Sequence, residues 1–474
     1  LVGSEMCIRD RLWLCSGQSN MEFPVDGWTS VMDADHVVST ARNPDIRLLQ
    51  VKKRVAFSPQ DDIETNMGGW VEAAPNTMDF SAIAYLYAKE LRDSLKVPVG
   101  VIDATWGGTP AEAWTSYGFL KGVPGFEGEL SAMESCGFDT SRLRENYEKE
   151  MGVWMKLAQK GGEEIRPGDK LTGNVLPADY FERIGFGNGF DGIVWVQKEI
   201  DVPAEDAGKP MTLKLGAIDD EDVTYLNGVD FSSLPKKPAS IEGSSYPTVL
   251  YNAMIHPLRN LPIKGVLWYQ GCANVGRAEQ YETLFKSLIN NWRDTWDSEF
   301  PFYFVQLAGW LAPHSVQPDS EWAALRNAQS KALQLPNTAM VSAIDLGNPG
   351  DIHPRDKQTV AHRLALTALG RDYGFDTNYK APQCISMQKM GNKIVLKFDD
   401  DLTATSVAIL GFIIGDADGD FDQAVARMAD SRTLELYSPL VKKPVCVRYD
   451  WADFPNGNLY SRHGIPVAPF ATDK

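Results

Sequence analysis

The chain has 474 residues, of which 43% are hydrophobic and 23% are charged, and its formal net charge is −17 at pH 7. This length predicts two or three domains, and this composition is typical of a folded globular protein. The negative charge disfavours nucleic acids and anionic membrane surfaces as partners, and no apolar stretch approaches the ~20 residues that would allow membrane insertion.

The first segment of the chain, residues 1–11, has neither an initiator methionine nor the pattern of a signal peptide. Its polar run leads abruptly into an apolar segment. We therefore expect a non-native or truncated N-terminus, so the missing export signal says little about location.

Short apolar runs that end in loops of small and polar residues recur along the chain. They predict strands at residues 12–15, 97–102, 265–269, 302–307 and 339–344. Amphipathic segments predict helices at residues 81–95, 278–296, 321–335 and about 355–373. Continuous apolar strands alternating with helices predict a parallel α/β sheet covered on both faces. In such sheets the ligand site lies beyond the carboxyl ends of the strands.

Two stretches alternate instead with a period of two, which is typical of β-strands. One lies between about residues 179 and 234 and contains an Asn227-Gly228 turn signal, and the other runs from about 385 to 448. They predict an inserted β unit and a C-terminal β domain. The predicted boundaries are 1–11 for the N-terminal segment, 12–178 and 241–378 for the two parts of the α/β domain, 179–240 for the insert and 379–474 for the C-terminal domain.

Ser19 follows the first predicted strand, in a loop that can present its hydroxyl beside free backbone N–H groups. A serine in such a loop is also a common turn or N-cap residue. A catalytic serine needs a base, and histidine titrates in the right range. His353, in Asp351-Ile352-His353-Pro354, follows the last apolar strand, so we expect it on the same side of the sheet as Ser19, with Asp351 placed to orient its ring.

Several motifs, in this order and spacing, resemble those of the SGNH hydrolases and, within them, the sialate O-acetylesterases and related acetylxylan esterases. They are Leu12-Trp-Leu-Cys-Ser-Gly-Gln-Ser-Asn-Met-Glu22, Trp106-Gly-Gly-Thr-Pro-Ala-Glu-Ala-Trp114, Pro247-Thr-Val-Leu-Tyr-Asn252, Leu267-Trp-Tyr-Gln-Gly271, Asp351-Ile-His-Pro354, Asn458-Leu-Tyr460 and residues 466–470. The implied fold is a three-layer α/β/α domain with a parallel sheet, an inserted β unit and a C-terminal β domain.

The resemblance implies a nucleophile at Ser19, a base at His353 and an oxyanion hole formed by the Ser19 backbone, Gly107, Gly108 and Asn274. It also places Gln270 in the substrate site, and Trp106, an aromatic residue that flanks the proposed site, is a candidate for stacking on a sugar ring. Other roles stay open. The glycines can serve a tight turn, Asn274 can cap a helix, Gln270 can be a satisfied buried amide, and Trp106 can pack in the core.

This sequence departs from its relatives in several places. Where many relatives have Gly-Glu-Ser-Asn, this chain has Gly271-Cys-Ala-Asn274. The aspartate that often stands three residues before the histidine is Gly350 here, so Asp351 is the first choice for the third triad member and Asp345 is the alternative. The inserted β unit is short, and the family's β domain upstream of Ser19 is missing.

The function implied by the resemblance is hydrolysis of O-acetyl esters of sialic acid through an acetyl-enzyme, with an acetylated sugar or glycan as partner. An acetylxylan or other plant-polysaccharide acetylesterase is one alternative, and an inactive carbohydrate-binding protein is another. No metal or organic cofactor is expected, because the six histidines and six cysteines are dispersed. Family habit implies an extracytoplasmic location, periplasmic or secreted, and the oligomeric state is not predicted.

Overall fold

The structure is a computed structural model that describes residues 10–162, 225–226, 229–230 and 243–473. The chain forms two compact units, residues 1–140 with 242–474, and residues 141–241. The predicted inserted β unit, 179–240, falls outside the described residues except for the two short strands at 225–226 and 229–230.

A seven-stranded sheet forms the centre of the first unit. The strands up to residue 342 are β1 (Leu12–Gly17), β2 (Asn43–Gln50), β3 (Val71–Ala73), β4 (Val99–Thr105), β5 (Tyr225–Leu226), β6 (Val229–Asp230), β7 (Gly265–Tyr269), β8 (Phe302–Gln306) and β9 (Thr338–Ser342). The sheet order is β3-β2-β4-β1-β7-β8-β9, whereas β5 and β6 form a hairpin of the second unit. All sheet pairings are parallel except that of β3, an antiparallel edge strand.

Helices connect and cover these strands. They are α1 (Ser19–Glu22), α2 (Ala34–Ser39), α3 (Ala82–Leu95), α4 (Tyr117–Leu120), α5 (Glu127–Ser135), α7 (Ala278–Trp296), α8 (Glu321–Ser330) and α9 (Lys357–Asp372), whereas α6 (Thr140–Gly162) belongs to the second unit from residue 141 onward. Every residue of β1, β7 and β8 is buried, as expected for strands covered on both faces. The predicted parallel α/β sheet is confirmed.

Local differences from the predicted elements have simple causes. The helix predicted for 321–335 ends at Ser330 and continues as a 3₁₀ turn, Lys331–Gln334. The sequence did not predict strand β2. Its buried and exposed residues are mixed, and the strand begins with Asn43-Pro44. A polar, proline-containing start does not resemble the continuous apolar runs of the central strands.

The N-terminus of α3 ties the sheet layer to the turn after β1. Ser81 is the N-cap, and its hydroxyl accepts a hydrogen bond from the Ala84 N–H (3.2 Å). The same hydroxyl donates to the Met21 carbonyl (2.6 Å). One buried serine therefore satisfies an orphan helix donor and fixes the short helix α1 that carries Ser19.

The predicted C-terminal β region is confirmed. Its strands are β10 (Cys384–Met390), β11 (Lys393–Phe398), β12 (Leu402–Ala404), β13 (Phe412–Gly415), β14 (Phe421–Gln423), β15 (Val425–Asp430), β16 (Thr433–Tyr437), β17 (Cys446–Tyr449), β18 (Leu459–Ser461) and β19 (Phe470–Ala471). They form two four-stranded sheets, β10-β11-β16-β15 and β14-β13-β17-β19, and the pair β12-β18. All of their pairings are antiparallel.

This β region has its own apolar core yet belongs to the same compact unit as the central sheet. Arg326 of α8 joins the two, because its fully buried guanidinium donates to the Ala452 and Asp453 carbonyls. Burial lowers the pKa of Arg326 to about 10. Within the described ranges, no helix has both the length and the apolar character that crossing a membrane requires.

Candidate active site

The turn that carries Ser19 depends on a close approach between two strands. Gly17 ends β1 with φ +139°, and a Cβ atom there would lie 2.2 Å from the Tyr269 carbonyl oxygen of β7. Only glycine permits that approach. The chain then turns into α1, whose first residue is Ser19, so the Ser19 N–H has no acceptor within the helix.

Ser19 and His353 meet at the carboxyl edge of the sheet. The Ser19 Oγ lies 2.8 Å from the His353 Nε2, although the residues are 334 positions apart in the sequence. This separation suits proton transfer. The pKa of His353 is lowered, first by burial and then by the Lys357 ammonium, while Asp351 and Glu22 oppose the shift. The imidazole is therefore neutral at pH 7 and able to accept a proton.

Of the two candidate aspartates, the structure brings Asp351 to the imidazole. Its Oδ1 accepts a hydrogen bond from the His353 backbone N–H (2.8 Å) and lies 3.6 Å from Nδ1 of the ring. The second distance is too long for a hydrogen bond, so the carboxylate acts on the ring through its charge. Asp345 instead forms a bidentate ion pair with Arg363, with both N···O distances 2.7 Å.

The Gly107-Gly108 turn lies against Ser19. A Cβ atom on Gly107 would be 3.3 Å from the Ser19 Cβ, and the Gly107 N–H donates to the Glu22 carboxylate (2.5 Å). Gly108 has φ +74°, in the left-handed region that favours glycine. Among the described residues its N–H has no acceptor. The two glycines thus differ, because one N–H is occupied and the other is open.

Asn274 is fully buried and held by three hydrogen bonds. Its Oδ1 accepts from the Ala111 N–H (3.0 Å) and from Gln270 Nε2 (2.7 Å), and its Nδ2 donates to Glu112 (2.9 Å). An amide nitrogen carries two hydrogens, so one remains. Asn274 caps no helix, since α7 begins at residue 278, and the other carboxylate oxygen of Glu112 accepts from Arg277 (2.8 Å).

Gln270 is completely buried as well. Its Nε2 donates to the Thr109 carbonyl (3.2 Å) and to Asn274, and its Oε1 accepts from the Tyr281 hydroxyl (3.1 Å). Both amide hydrogens are in use. The structure therefore places Gln270 behind Asn274 as its support, where sequence reasoning expected a substrate contact.

The aromatic side chains near the site fall into two groups. Trp114, Trp268 and Tyr269 are buried in the core. Trp106 is partly exposed, with the Lys53 ammonium 5.7 Å from its ring centroid. Trp28, which sequence reasoning missed, is 57% exposed, and its ring centroid lies 5.6 Å from that of His353. The polar loop around Trp28 carries no sequence signal for this placement.

Sequence reasoning also missed four polar residues that form hydrogen bonds around the site: Asn20, Glu22, Glu112 and Lys357. The first three stand inside the motifs that carry the family resemblance, so each was a detectable candidate. None of the described residues forms a group of three or more His, Cys, Asp or Glu side chains that could hold a metal ion.

Comparisons with known proteins show which proteins this chain is similar to. Residues 238–369 match the model of a family described as "carbohydrate esterase, sialic acid-specific acetylesterase". The sialate O-acetylesterases of Mus musculus and Homo sapiens are 29% and 28% identical over 387 and 389 residues, or 77% of this chain in each case. This chain spans about half the length of these relatives, 56% and 53% respectively.

A solved structure extends the match to nearly the whole chain. The crystal structure of a carbohydrate acetylesterase from Xanthomonas citri is 30% identical, with a TM-score of 0.69. The alignment covers 98% of this chain and 81% of the solved one, so it includes both the central sheet and the C-terminal β region. From this identity and coverage, together with the family model, we conclude that the chain belongs to the sialate O-acetylesterase family of carbohydrate esterases.

Proposed function

We propose that this chain is a carbohydrate O-acetylesterase that hydrolyses O-acetyl esters of sialic acid, with Ser19 as nucleophile and His353 as base. The observation that carries the proposal is the 2.8 Å contact between the Ser19 hydroxyl and the His353 imidazole. Beside it lie the open N–H of Ser19 and the turn that bears the open N–H of Gly108.

In the first half of the reaction, His353 accepts the Ser19 proton as the oxygen attacks the acetyl carbonyl carbon. The tetrahedral intermediate then collapses, the bond to the sugar oxygen breaks, and the imidazolium gives that oxygen its proton. Asp351 stabilises the imidazolium through its negative charge. Water attacks the acetyl-enzyme by the same route, releasing acetate and restoring the Ser19 hydroxyl.

The oxyanion is stabilised by the N–H groups of Ser19 and Gly108 and by the remaining amide hydrogen of Asn274. Loss of one such donor typically costs about 3 kcal/mol of transition-state stabilisation. Gly107 has a different role, because its N–H is bonded to Glu22. That bond fixes the turn on which the next N–H, that of Gly108, is left without an acceptor among the described residues.

An acetylated sugar is the preferred substrate because exposed aromatic surface adjoins the base. Trp28 and Trp106 are available for stacking on the apolar face of a sugar ring. The relatives support the same class, since they are named sialate O-acetylesterases and a carbohydrate acetylesterase. Acetylated xylan is the competing substrate.

Acetate release from 9-O-acetyl sialic acid and from acetylated xylan, measured side by side, tests the proposal. We expect turnover of the sialic acid ester by the wild-type protein and none by Ser19→Ala. Faster release from xylan would redirect the substrate assignment, and full activity of Ser19→Ala would refute the nucleophile. A chain that binds sugars but does not react with a fluorophosphonate probe would be an inactive binding protein.

We also propose an extracytoplasmic location, periplasmic or secreted, which the family resemblance supports. Fractionation of the source cells followed by immunodetection tests it. Detection in the cytoplasmic fraction alone would overturn this part of the proposal.

A further inference from the structure

A buried lysine lies directly behind the candidate active site. Lys357 is the first residue of α9, and it is 1% exposed. Its Nζ donates a hydrogen bond to the Asn20 Oδ1 (2.6 Å) and lies 4.6 Å from the ring centroid of Phe23 and 5.6 Å from that of Tyr269. Burying an ammonium is costly, so this position calls for a physical reason.

Asn20 connects this lysine to the loop that carries the base. The Asn20 Nδ2 donates to the Ile352 carbonyl (3.0 Å), while its Oδ1 accepts from Lys357. Asn20 directly follows Ser19, and Ile352 directly precedes His353. One buried amide therefore joins the neighbour of the nucleophile to the neighbour of the base, and Lys357 fixes the orientation of that amide.

The charged and titratable groups that face Lys357 come from three parts of the fold. Burial lowers its pKa to about 7, while Cys272, Asp351 and Asp356 favour its charged form. Cys272 precedes Asn274 in a 3₁₀ turn, and Asp356 caps α9. In return, the Lys357 ammonium lowers the pKa of His353, whereas Asp351 raises it.

We propose that Lys357 is a positioning residue of the esterase: through Asn20 it holds the Ile352-His353 segment where the imidazole reaches Ser19. The effect of its charge on the pKa of His353 supports the same role. This inference rests on the proposed function. A purely structural role does not account for the contacts. A methionine would fill such an apolar pocket without the cost of burying an amine, yet the amine's acceptor is the one amide that bridges both halves of the site.

Lys357→Met removes the donor and the charge with little change in side-chain length. We expect kcat at the pH plateau to fall by about 10- to 100-fold with a small change in KM, because displacement of a catalytic group by about 1 Å can cost 10²-fold. The acid limb of the kcat/KM profile should also move to higher pH, because the imidazolium is no longer repelled. Asp351→Asn should move it the opposite way.

Lys389→Met is the matched control, because it removes one lysine from an exposed position on β10. It should change neither kcat nor the acid limb. A folded Lys357→Met protein whose kcat and pH profile match the wild type would overturn the inference. A merely structural lysine would lower the melting temperature and leave the acid limb in place.

Two further measurements cover the case in which Lys357→Met does not fold. Asn20→Asp keeps an oxygen acceptor for Lys357 but removes the N–H that reaches Ile352, so its kcat should also fall, and wild-type kcat would overturn the inference. The second is the NMR titration of the His353 imidazole in the wild type and in Asp351→Asn.

The NMR titration needs no ester turnover, so it separates failure of the inference from failure of the proposed function. We expect His353 to titrate below pH 6.5 in the wild type and lower still in Asp351→Asn. A wild-type midpoint above 6.5 would show that Asp351 and Glu22 outweigh burial and the Lys357 ammonium, and would overturn the statement that the surroundings of His353 favour its neutral form. Retained activity of Ser19→Ala would refute the esterase mechanism and leave this measurement valid.

Discussion

The two sides of the candidate site are held in different ways. On the oxyanion side, Asn274 is fully buried and each of its polar atoms bonds to another buried group. On the base side, the His353 side chain is 27% exposed, and its nearest carboxylate, Asp351, lies 3.6 Å from the ring. The Asn274 side chain is held by direct hydrogen bonds, whereas, apart from the contact with the serine, the described hydrogen bonds of the His353 segment run through its backbone and the neighbouring Ile352.

This difference follows from what each side must do. Oxyanion donors stabilise charge most effectively when they need no reorientation during the reaction. In the proposed mechanism the imidazole, in contrast, exchanges a proton first with the serine and then with the leaving oxygen, so it must serve two positions. Direct side-chain hydrogen bonds therefore suit Asn274. The proposed contacts through Asn20 and Lys357 fix the backbone beside His353 and leave its ring able to turn between the two positions.

Removing the proposed base should have the largest effect on kcat. His353→Ala should lower kcat by about 10⁴-fold or more, since triad members act as a unit. The measurement is acetate release under saturating substrate, with circular dichroism to verify folding. His463→Ala, at an exposed position in the C-terminal β region, is the control and should keep wild-type activity. Wild-type activity of a folded His353→Ala protein would rule out this histidine as the base.

Removing the clamped donor tests the oxyanion side. Asn274→Ala should lower kcat by about 10²- to 10³-fold with a modest effect on KM, because the lost hydrogen bond matters mainly in the transition state. Asn291→Ala is the control, since Asn291 of α7 is also a buried asparagine, but its Oδ1 accepts a hydrogen bond from the Ser116 N–H. It should reduce stability and spare kcat. Equal losses in both variants would argue for a folding defect.

The pH dependence sharpens the view of the base side. The pKa of His353 is held below 6.5 by burial and by Lys357. Lower pH protonates the imidazole and removes the base, so kcat/KM should fall about tenfold per pH unit below that pKa. Initial rates measured between pH 4 and 8 give the acid limb of the kcat/KM profile. A midpoint clearly above 6.5 would mean that the charge of Asp351 outweighs the other two effects.

The same contrast explains what the sequence could reveal. Fully buried strands such as β1 and β7 are continuous apolar runs, and Ser19 and His353 stand in recognisable motifs beside them. The choice between Asp351 and Asp345 was open because the ion pair of Asp345 with Arg363 joins residues 18 positions apart. Local spacing does not show which way a carboxylate points.

The sequence also did not show that Glu112 bonds to Asn274, the proposed oxyanion donor. Glu112 and Asn274 are 162 positions apart, and their contact exists only once the sheet has brought both loops to one edge. For Gln270 the sequence left both a substrate contact and a buried amide open, because its motif shows the residue type and not where its two N–H groups point. Amide orientation is set by tertiary packing, which a linear pattern does not encode.

Weakening the hydrogen bond between Asn274 and Glu112 without removing the oxyanion donor should have a smaller effect. Glu112→Gln keeps the size of the side chain but replaces the charged acceptor of Asn274 with a neutral one. We expect kcat to fall by about tenfold, because hydrogen bonds to charged groups are worth roughly 1.5–3 kcal/mol. Arg277→Met removes only the partly exposed partner of Glu112 and should cost less. A larger loss of kcat in Arg277→Met than in Glu112→Gln would show that the Glu112 hydrogen bond is not what holds Asn274.

The smallest expected effect concerns the substrate surface beside the base. Trp28→Ala should raise KM for an acetylated sugar by about 2- to 10-fold, since aromatic contacts are worth roughly 0.5–1.5 kcal/mol beyond area burial. The KM for p-nitrophenyl acetate, which has no sugar ring, should stay unchanged. Trp70→Ala, another exposed tryptophan, is the control and should affect neither substrate. Equal losses on both esters would show that Trp28 acts by holding the His353 ring, its edge-on neighbour at 5.6 Å, so that the base side would gain a direct contact after all.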